Sequence, residues 1–407
     1  MKYYILFLVI GVGLNLPLTV RAQDEQPQRL PVLIPESAGT SPLDRNVRFH
    51  TRLRVLAADK SQASTTTMAQ YNTPATVRSA YNLPSTGGSG AIALIDAYHY
   101  PTALADFNTF AKQYGLPQET STVATSSSNK VFQLVYATGR QPMSGGNFIS
   151  SWNLEEALDT QWAHALAPNA KIYVVEAASD STTDLYTAVQ VASTLPGVKE
   201  ISMSWGGSET QQEANWYDAY FTTYGIVYLA AGGDVSADVE YPSTSKNVVS
   251  CGGTTINRSS TGVFVSETGW TDTGCGPSLY ESRPSYQNSI SSIVGAKRGV
   301  NDISFLADPN SGVYVYDSTP YWGEEGWWIV GGTSLATPSV AGVLNLAATA
   351  STGFAASTAI EQSRIYGNLG NASVFRDITS GTDGKYKCTV GWDFVTGLGS
   401  PVGLSGK

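Results

Sequence analysis

The sequence predicts an α/β fold: a central, mostly parallel sheet flanked by helices on both faces, three layers in all. Three observations predict it. Short, nearly all-apolar runs recur along the chain, and helix-like segments separate them. The composition is that of a globular protein, with 42% hydrophobic and 14% charged residues among 407. A strand that is apolar at every position has no wet face, so helices must cover both sides, as in a parallel sheet built from βαβ units.

Residues 1–22 open with Lys2 and the run YYILFLVIGVGLNLPL and close on Val20-Arg21-Ala22. A basic start, a short apolar stretch broken by Gly, Asn and Pro, and a small residue before the cut are the parts of a secretory signal peptide. The expected location is therefore secreted, extracellular or periplasmic. No later stretch is long and apolar enough to span a bilayer, so no membrane contact is expected once the signal is gone. Residues 23–70 are polar, lack sustained periodicity and read as a leader, a short propeptide-like arm. Order is expected from Tyr71, where residues 71–407 form one domain. It starts with a short helix through 77–81, a strand at 91–95 (AIALI) and a helix over 103–114. A strand at 171–175 (KIYVV) and a helix over 183–194 come next. Strands at 200–204 and 226–230 follow, with helical sequence between them.

The net charge of −9 argues against a nucleic-acid partner. The three cysteines, Cys251, Cys275 and Cys388, allow at most one disulfide and show no zinc spacing. Stability must come from the core.

The stretch 331–342, GGTSLATPSVAG, sets Ser334 between a tight glycine turn and the first turn of a helix. A serine there is placed to be a nucleophile, and a nucleophilic serine needs a base. Of three histidines, His50 falls in the leader and is expected outside the folded unit. His99 follows a strand end, and His164 lies where a helix stops. A carboxylate can be the base instead. In LEEALDTQWAH, Glu155 and Asp159 stand four residues apart on one helix face, with no Lys or Arg beside them. Such a pair costs stability unless it shares a proton or a buried hydrogen bond; alone, it would read as a wet acidic face. Glu156, turned about 100° away, is expected in solvent. Asp234 ends YLAAGGD, a strand running into a glycine turn. It is either a turn former or, if protonated, a hydrogen-bond donor to a developing oxyanion.

With these stretches in place, the chain resembles the sedolisin family of serine-carboxyl peptidases, acid-acting relatives of subtilisin. The matching stretches are EEALDTQWAHALAPNAKI, ISMSWGGSE, AAGGDVSADVEYPSTSKNVVSCGGTTI, GGTSLATP, FRDITSGTDG and GWDFVTGLGSP. They run in order from Tyr71 nearly to the C-terminus. The resemblance implies a subtilisin-like fold, a monomer acting on protein or peptide substrates, and Ser334 as nucleophile. It further implies Glu155 as general base and acid, Asp159 as the residue orienting it, and Asp234 as oxyanion donor. Asp96 would extend the acid network. Ser204-Trp205-Gly206 resembles the segment that pairs with an extended substrate. One calcium ion is implied, held by the side chains of Asp377 and Asp393 and the carbonyls of Ile378, Thr389 and Gly391. The leader is far shorter than the large prodomain usual in the family. Two rival readings are a histidine-dependent subtilase and a secreted, calcium-stabilised binding module without enzymatic activity.

Overall fold

Order reaches into the leader. A computed structural model describes residues 31–44, 47–56 and 71–407. The expected signal peptide, 1–22, lies outside the described residues, as do 23–30 and 57–70 of the leader. Within that leader, β1 (Val32–Leu33), β2 (His50–Thr51) and β3 (Arg54–Leu56) are laid against the main body. β1 pairs antiparallel with β3. Leu53 and Val55 are fully buried, and His50 is 5% exposed. The expectation that order begins near Tyr71, with His50 outside the folded unit, is therefore corrected. Alternation alone cannot reveal strands two or three residues long whose partners are remote in sequence.

From Tyr71 the expected alternation holds. α1 (Pro74–Ala80) starts from Thr73 through a reciprocal capping box, with proline in its first position. There follow β4 (Ala91–Ala97), α2 (Ala103–Tyr114), β5 (Phe132–Tyr136), α3 (Asn147–Leu166), β6 (Lys171–Ala177) and α4 (Thr182–Ala192). β7 (Val198–Met203), β8 (Trp205–Ser208), β9 (Val227–Ala231), β10 (Glu240–Tyr241), β11 (Val249–Arg258) and β12 (Phe264–Gly269) continue it. The helical sequence expected between β7 and β9 is instead β8 and two short non-α turns, Glu213–Tyr217 and Asp218–Phe221. Tyr217 and Tyr220 from these turns both stack on Tyr186 of α4.

The last third begins with β13 (Gly276–Ser282), α5 (Ser291–Val294), β14 (Lys297–Val300) and β15 (Ile303–Leu306). It ends with β16 (Val313–Tyr321), β17 (Glu324–Gly331), α6 (Thr333–Ala347) and α7 (Thr358–Gly367). The central sheet runs β12-β11-β9-β7-β4-β6-β5, with β15 also on β11. Among the described residues only its β11–β12 pairing is antiparallel.

β4 explains the layering. All seven of its residues are buried. Ile92 and Leu94 join the core beneath α2, α3 and α6, whereas Ala93 and Ile95 join the core beneath α4. Side chains alternate across a strand, so Asp96 shares the face of Ile92 and Leu94, toward α3.

α3 packs against α2, α6, β4 and β16, and every residue from Ile149 to Leu166 is buried. A helix enclosed on all sides has no polar face to spare. Its crossing with α6 is close because of Gly342: a Cβ there would stand 2.7 Å from Leu166 Cβ and 3.2 Å from the Ala163 carbonyl oxygen. That crossing fixes Ser334 relative to Glu155 and Asp159.

Gly342→Val should force the two helices apart. Overpacking of this kind costs about 1–3 kcal/mol, so a thermal scan should show a lowered Tm, with activity falling by more than the unfolded fraction explains. An unchanged Tm would contradict the packing.

Candidate active site

β17 delivers the chain to the start of α6 through Gly331 and Gly332. A side chain at Gly331 would run into the Ala307 carbonyl and Pro309, and one at Gly332, whose φ is +98°, into the Arg52 carbonyl. Only glycine fits that approach. Ser334 then lies in the first helical turn, where backbone N–H groups have no acceptor within the helix. The Ser334 N–H donates instead to the Arg52 carbonyl oxygen at 3.0 Å. Four residues on, Pro338 has no N–H to give the Ser334 carbonyl. The Ser204 hydroxyl, with one proton to give, lies 3.3 Å from that carbonyl oxygen and 2.7 Å from Asp159 Oδ1, the shorter and stronger of the two contacts. The Ser334 hydroxyl donates to the Ser204 carbonyl at 3.2 Å and accepts from the Arg52 N–H at 3.0 Å.

Across from the serine lie acids. Glu155 and Asp159 of α3 are both fully buried, as is Asp96 of β4. Burial pushes the Glu155 carboxyl well above the usual carboxylate range, the Asp96 charge pushes it further, and the nearby Ser334 hydroxyl pulls it down. Burial, then Asp96 and Glu155, raise Asp159 in the same way. Burial and Glu176 raise Asp96, whose two oxygens have no hydrogen-bond partner, like those of Glu155. Glu156, expected in solvent, is 1% exposed and belongs to the same cluster, raised by burial and by Glu176, Asp96 and Asp159. The expectation failed because α3 has no wet side. Glu176 at the end of β6 completes the group. It accepts from His99 Nδ1 at 2.9 Å and from the Tyr100 N–H at 3.0 Å, and burial raises it. Among the described residues no basic side chain bonds to Asp96, Glu155, Glu156 or Asp159.

Asp234 follows β9 through Gly233, whose φ is +111°. Its Oδ1 accepts from the N–H and the hydroxyl of Thr333, at 2.8 and 2.7 Å. Its Oδ2 is buried without a hydrogen-bond partner and borders the same small space at Gly332 as the Arg52 carbonyl oxygen. Burial raises the carboxyl, while the Arg54 guanidinium, 3.5 Å from Oδ2, opposes that rise.

None of the histidines serves Ser334. His164 is buried against Phe107 and the Pro117 carbonyl, its pKa lowered to about 4 chiefly by burial. His99 is paired with Glu176, and His50 lies 3.4 Å from Asp44.

The leader occupies the cleft. β2 pairs antiparallel with β8, setting His50 opposite Gly206 and Thr51 opposite Trp205. The Arg52 N–H also reaches the Ser204 carbonyl at 3.1 Å. Beyond the serine, β3 pairs with β17, setting Arg54 opposite Gly331. The backbone thus passes Ser334 as an added strand on both sides. Arg52 is 3% exposed. Its Nε donates to Glu240 Oε2 at 2.5 Å and its Nη2 to the Gly206 carbonyl at 2.7 Å. Sequence reasoning missed Arg52, Glu176 and Glu240. For Glu176 a signal existed: an acid inside the otherwise apolar KIYVVEA.

The residues expected around calcium are gathered near the C-terminus. Asp377 Oδ2 accepts from the Gly391 N–H at 2.9 Å, and its Oδ1 is buried without a partner. Asp393 accepts from the N–H groups of Thr389 and Thr396, both at 2.9 Å. Among the described residues no three His, Cys, Asp or Glu side chains converge as a metal-binding group, so backbone carbonyls would have to supply the remaining ligands. All three cysteines are buried and free.

Comparison with known proteins shows what the chain as a whole is similar to. The model of the subtilase family matches residues 143–368. Sedolisin of Pseudomonas sp. (strain 101) is 27% identical over 92% of this chain and 67% of its own length. Kumamolisin of Bacillus sp. (strain MN-32) is 29% identical over 88% of this chain and 67% of its own. The solved structure of Pseudomonas sedolisin, a serine-carboxyl proteinase complexed with pseudo-iodotyrostatin, superposes with a TM-score of 0.65 at 25% identity. It covers 82% of this chain and 95% of that one.

The acid cluster makes stability depend on pH. Because the folded pKa values of Asp96, Glu155, Glu156 and Asp159 are raised, the unfolded chain ionises first as pH climbs past about 4. Stability is then full below that value and lost as pH rises through the folded values. Tm should fall from pH 4 to pH 8, and Glu156→Gln should flatten that fall. A Tm that rises over this interval would contradict the cluster.

Proposed function

The chain belongs to the subtilase family, and from that premise we propose a serine-carboxyl peptidase of the sedolisin type that hydrolyses peptide bonds through an acyl-enzyme on Ser334. The observation that carries this reading is the company the serine keeps: buried carboxyls on α3 and no imidazole. In the proposed cycle, ionised Glu155 takes the Ser334 proton as the hydroxyl attacks the carbonyl carbon. It returns that proton to the leaving amine, and water repeats the sequence on the ester. Asp159, anchored by the Ser204 hydroxyl, holds Glu155 in place and, kept protonated, spares it a second adjacent charge. The oxyanion would be met by the Ser334 N–H and by a protonated Asp234. These protonation states coexist in mildly acidic solution: one carboxylate must be charged while its neighbours keep their protons. Asp96, with its charge felt at Glu155, would belong to the same proton-sharing network.

Protein or peptide chains would be the substrates, bound as a strand along β8. The signal-peptide reading makes the proposed location extracellular or periplasmic, and the chain is proposed to act as a monomer. Among the described residues no helix is long and apolar enough to cross a membrane. Against a purely binding role stands the intactness of all four catalytic positions, each buried at the cleft.

Digestion of a denatured protein across pH 2 to 8 tests the activity. Wild type should peak in the acid range, and Ser334→Ala and Glu155→Ala should be inert. Asp234→Ala, still folded, should lose ~10²–10³-fold in turnover as one oxyanion donor goes. A neutral or alkaline optimum, or an active Glu155→Ala, would refute these roles.

A calcium ion fits the C-terminal loops, where Asp377 offers a buried oxygen with no partner. Asp377, Ile378, Thr389, Gly391 and Asp393 would hold it, and it would tie the two loops together without touching the reaction. A chelator should lower the Tm of wild type, and Asp377→Ala should lower it to the same value and remove the chelator's effect. A chelator-independent Tm in wild type would overturn the assignment.

A further inference from the structure

We propose that the chain's own Arg52–Leu53 bond is seated as a substrate of Ser334, and that Glu240 selects arginine on the acyl side of the bond to be cut. The proposal rests on the serine-carboxyl reading of the site.

Three sets of contacts place the bond. On the acyl side, His50 and Thr51 pair with β8 and the Arg52 N–H is held by the Ser204 carbonyl. At the centre, the Arg52 carbonyl oxygen accepts from the Ser334 N–H at 3.0 Å and borders the free oxygen of Asp234. On the amine side, Arg54 pairs with Gly331. A segment resting in the cleft by chance would have no reason to put one carbonyl against both a helix N-terminal N–H and the Asp234 oxygen that lacks a hydrogen bond. Leu53, immediately after that carbonyl, is fully buried.

The pocket around the Arg52 side chain is built for a guanidinium. Glu240 is 4% exposed; pairing of β10 with β8 sets it opposite Ser208, and its Oε2 lies beside Gly206. Its carboxylate accepts a hydrogen bond from Nε, and the Gly206 carbonyl accepts one from Nη2. A lysine ammonium, a single point of charge, cannot span both acceptors in the fork geometry that arginine presents. An apolar side chain would leave Glu240 buried without a counter-charge, a costly state.

The step balances with water alone. Ser334 Oγ bonds to the Arg52 carbonyl carbon and gives its proton to Glu155. The bond from that carbon to the Leu53 nitrogen breaks, and the nitrogen takes the proton. Water then hydrolyses the ester, giving an Arg52 carboxylate and a Leu53 amine and restoring the Ser334 hydroxyl.

The full-length chain, incubated at mildly acidic pH, should yield a product whose N-terminal residue is Leu53, by mass spectrometry and terminal sequencing. Ser334→Ala should stay uncut, and Arg52→Gln should cut itself roughly 10²-fold more slowly, the scale expected for losing a buried charge partner. In peptides differing only at the residue before the scissile bond, wild type should favour Arg over Leu, and Glu240→Gln should reduce that preference by about 10²-fold. A new terminus elsewhere, or a preference untouched by Glu240→Gln, overturns this inference even while denatured protein is digested through Glu155. A folded wild type that digests nothing overturns the peptidase reading as well.

Discussion

Everything at this site depends on one constraint: Asp96, Glu155, Glu156, Asp159 and Glu176 are buried together, and among the described residues His99 is the one basic group bonded to them, through Glu176. Full ionisation of such a group is not affordable, since each added charge raises the cost of the next. The cluster must share protons, and its carboxyls titrate as a set and not one by one. The Ser334 hydroxyl lies near enough to Glu155 to favour its charge. The chemistry then follows from where the protons settle.

Backbone geometry provides the rest. Two glycines let β17 turn into α6 close against the cleft, and the helix start leaves the Ser334 N–H free for a carbonyl. Pro338 takes a helical donor away from the Ser334 carbonyl, and the Ser204 hydroxyl that anchors Asp159 lies beside that carbonyl. The leader exploits this arrangement: it satisfies the N–H of Ser334, lengthens two strand pairings and fills an acidic pocket with Arg52. Arg54 meanwhile sits beside Asp234 and favours its charged form, the opposite of what an oxyanion donor needs. Occupied cleft and quiet oxyanion site thus come from two nearby arginines, Arg52 between β2 and β3 and Arg54 at the start of β3.

Much of the fold was legible. The apolar runs at β4, β6 and β9 could only be covered strands, and the GGTS stretch could only be a tight turn into a helix. Glu155 and Asp159 were legible as a pair because four-residue spacing puts two acids on one face with nothing basic beside them. Glu156 was misread because spacing within one helix says nothing about the layers that enclose it. β2 and β3 escaped notice for a similar reason: strands of two or three residues carry no period, and their partners lie some 150 and 280 positions away, at Gly206 and Gly331. Glu240 and Arg52 have meaning only as a pair, and sequence holds them 188 residues apart.

Infrared spectroscopy of the folded protein tests the central constraint most directly, because protonated carboxyls absorb apart from carboxylates. At pH 6.5 the folded protein should show a protonated-carboxyl band that vanishes on unfolding and diminishes when Asp96, Glu156 or Asp159 is replaced by its amide. A folded protein whose carboxyls are all ionised at that pH would contradict the account.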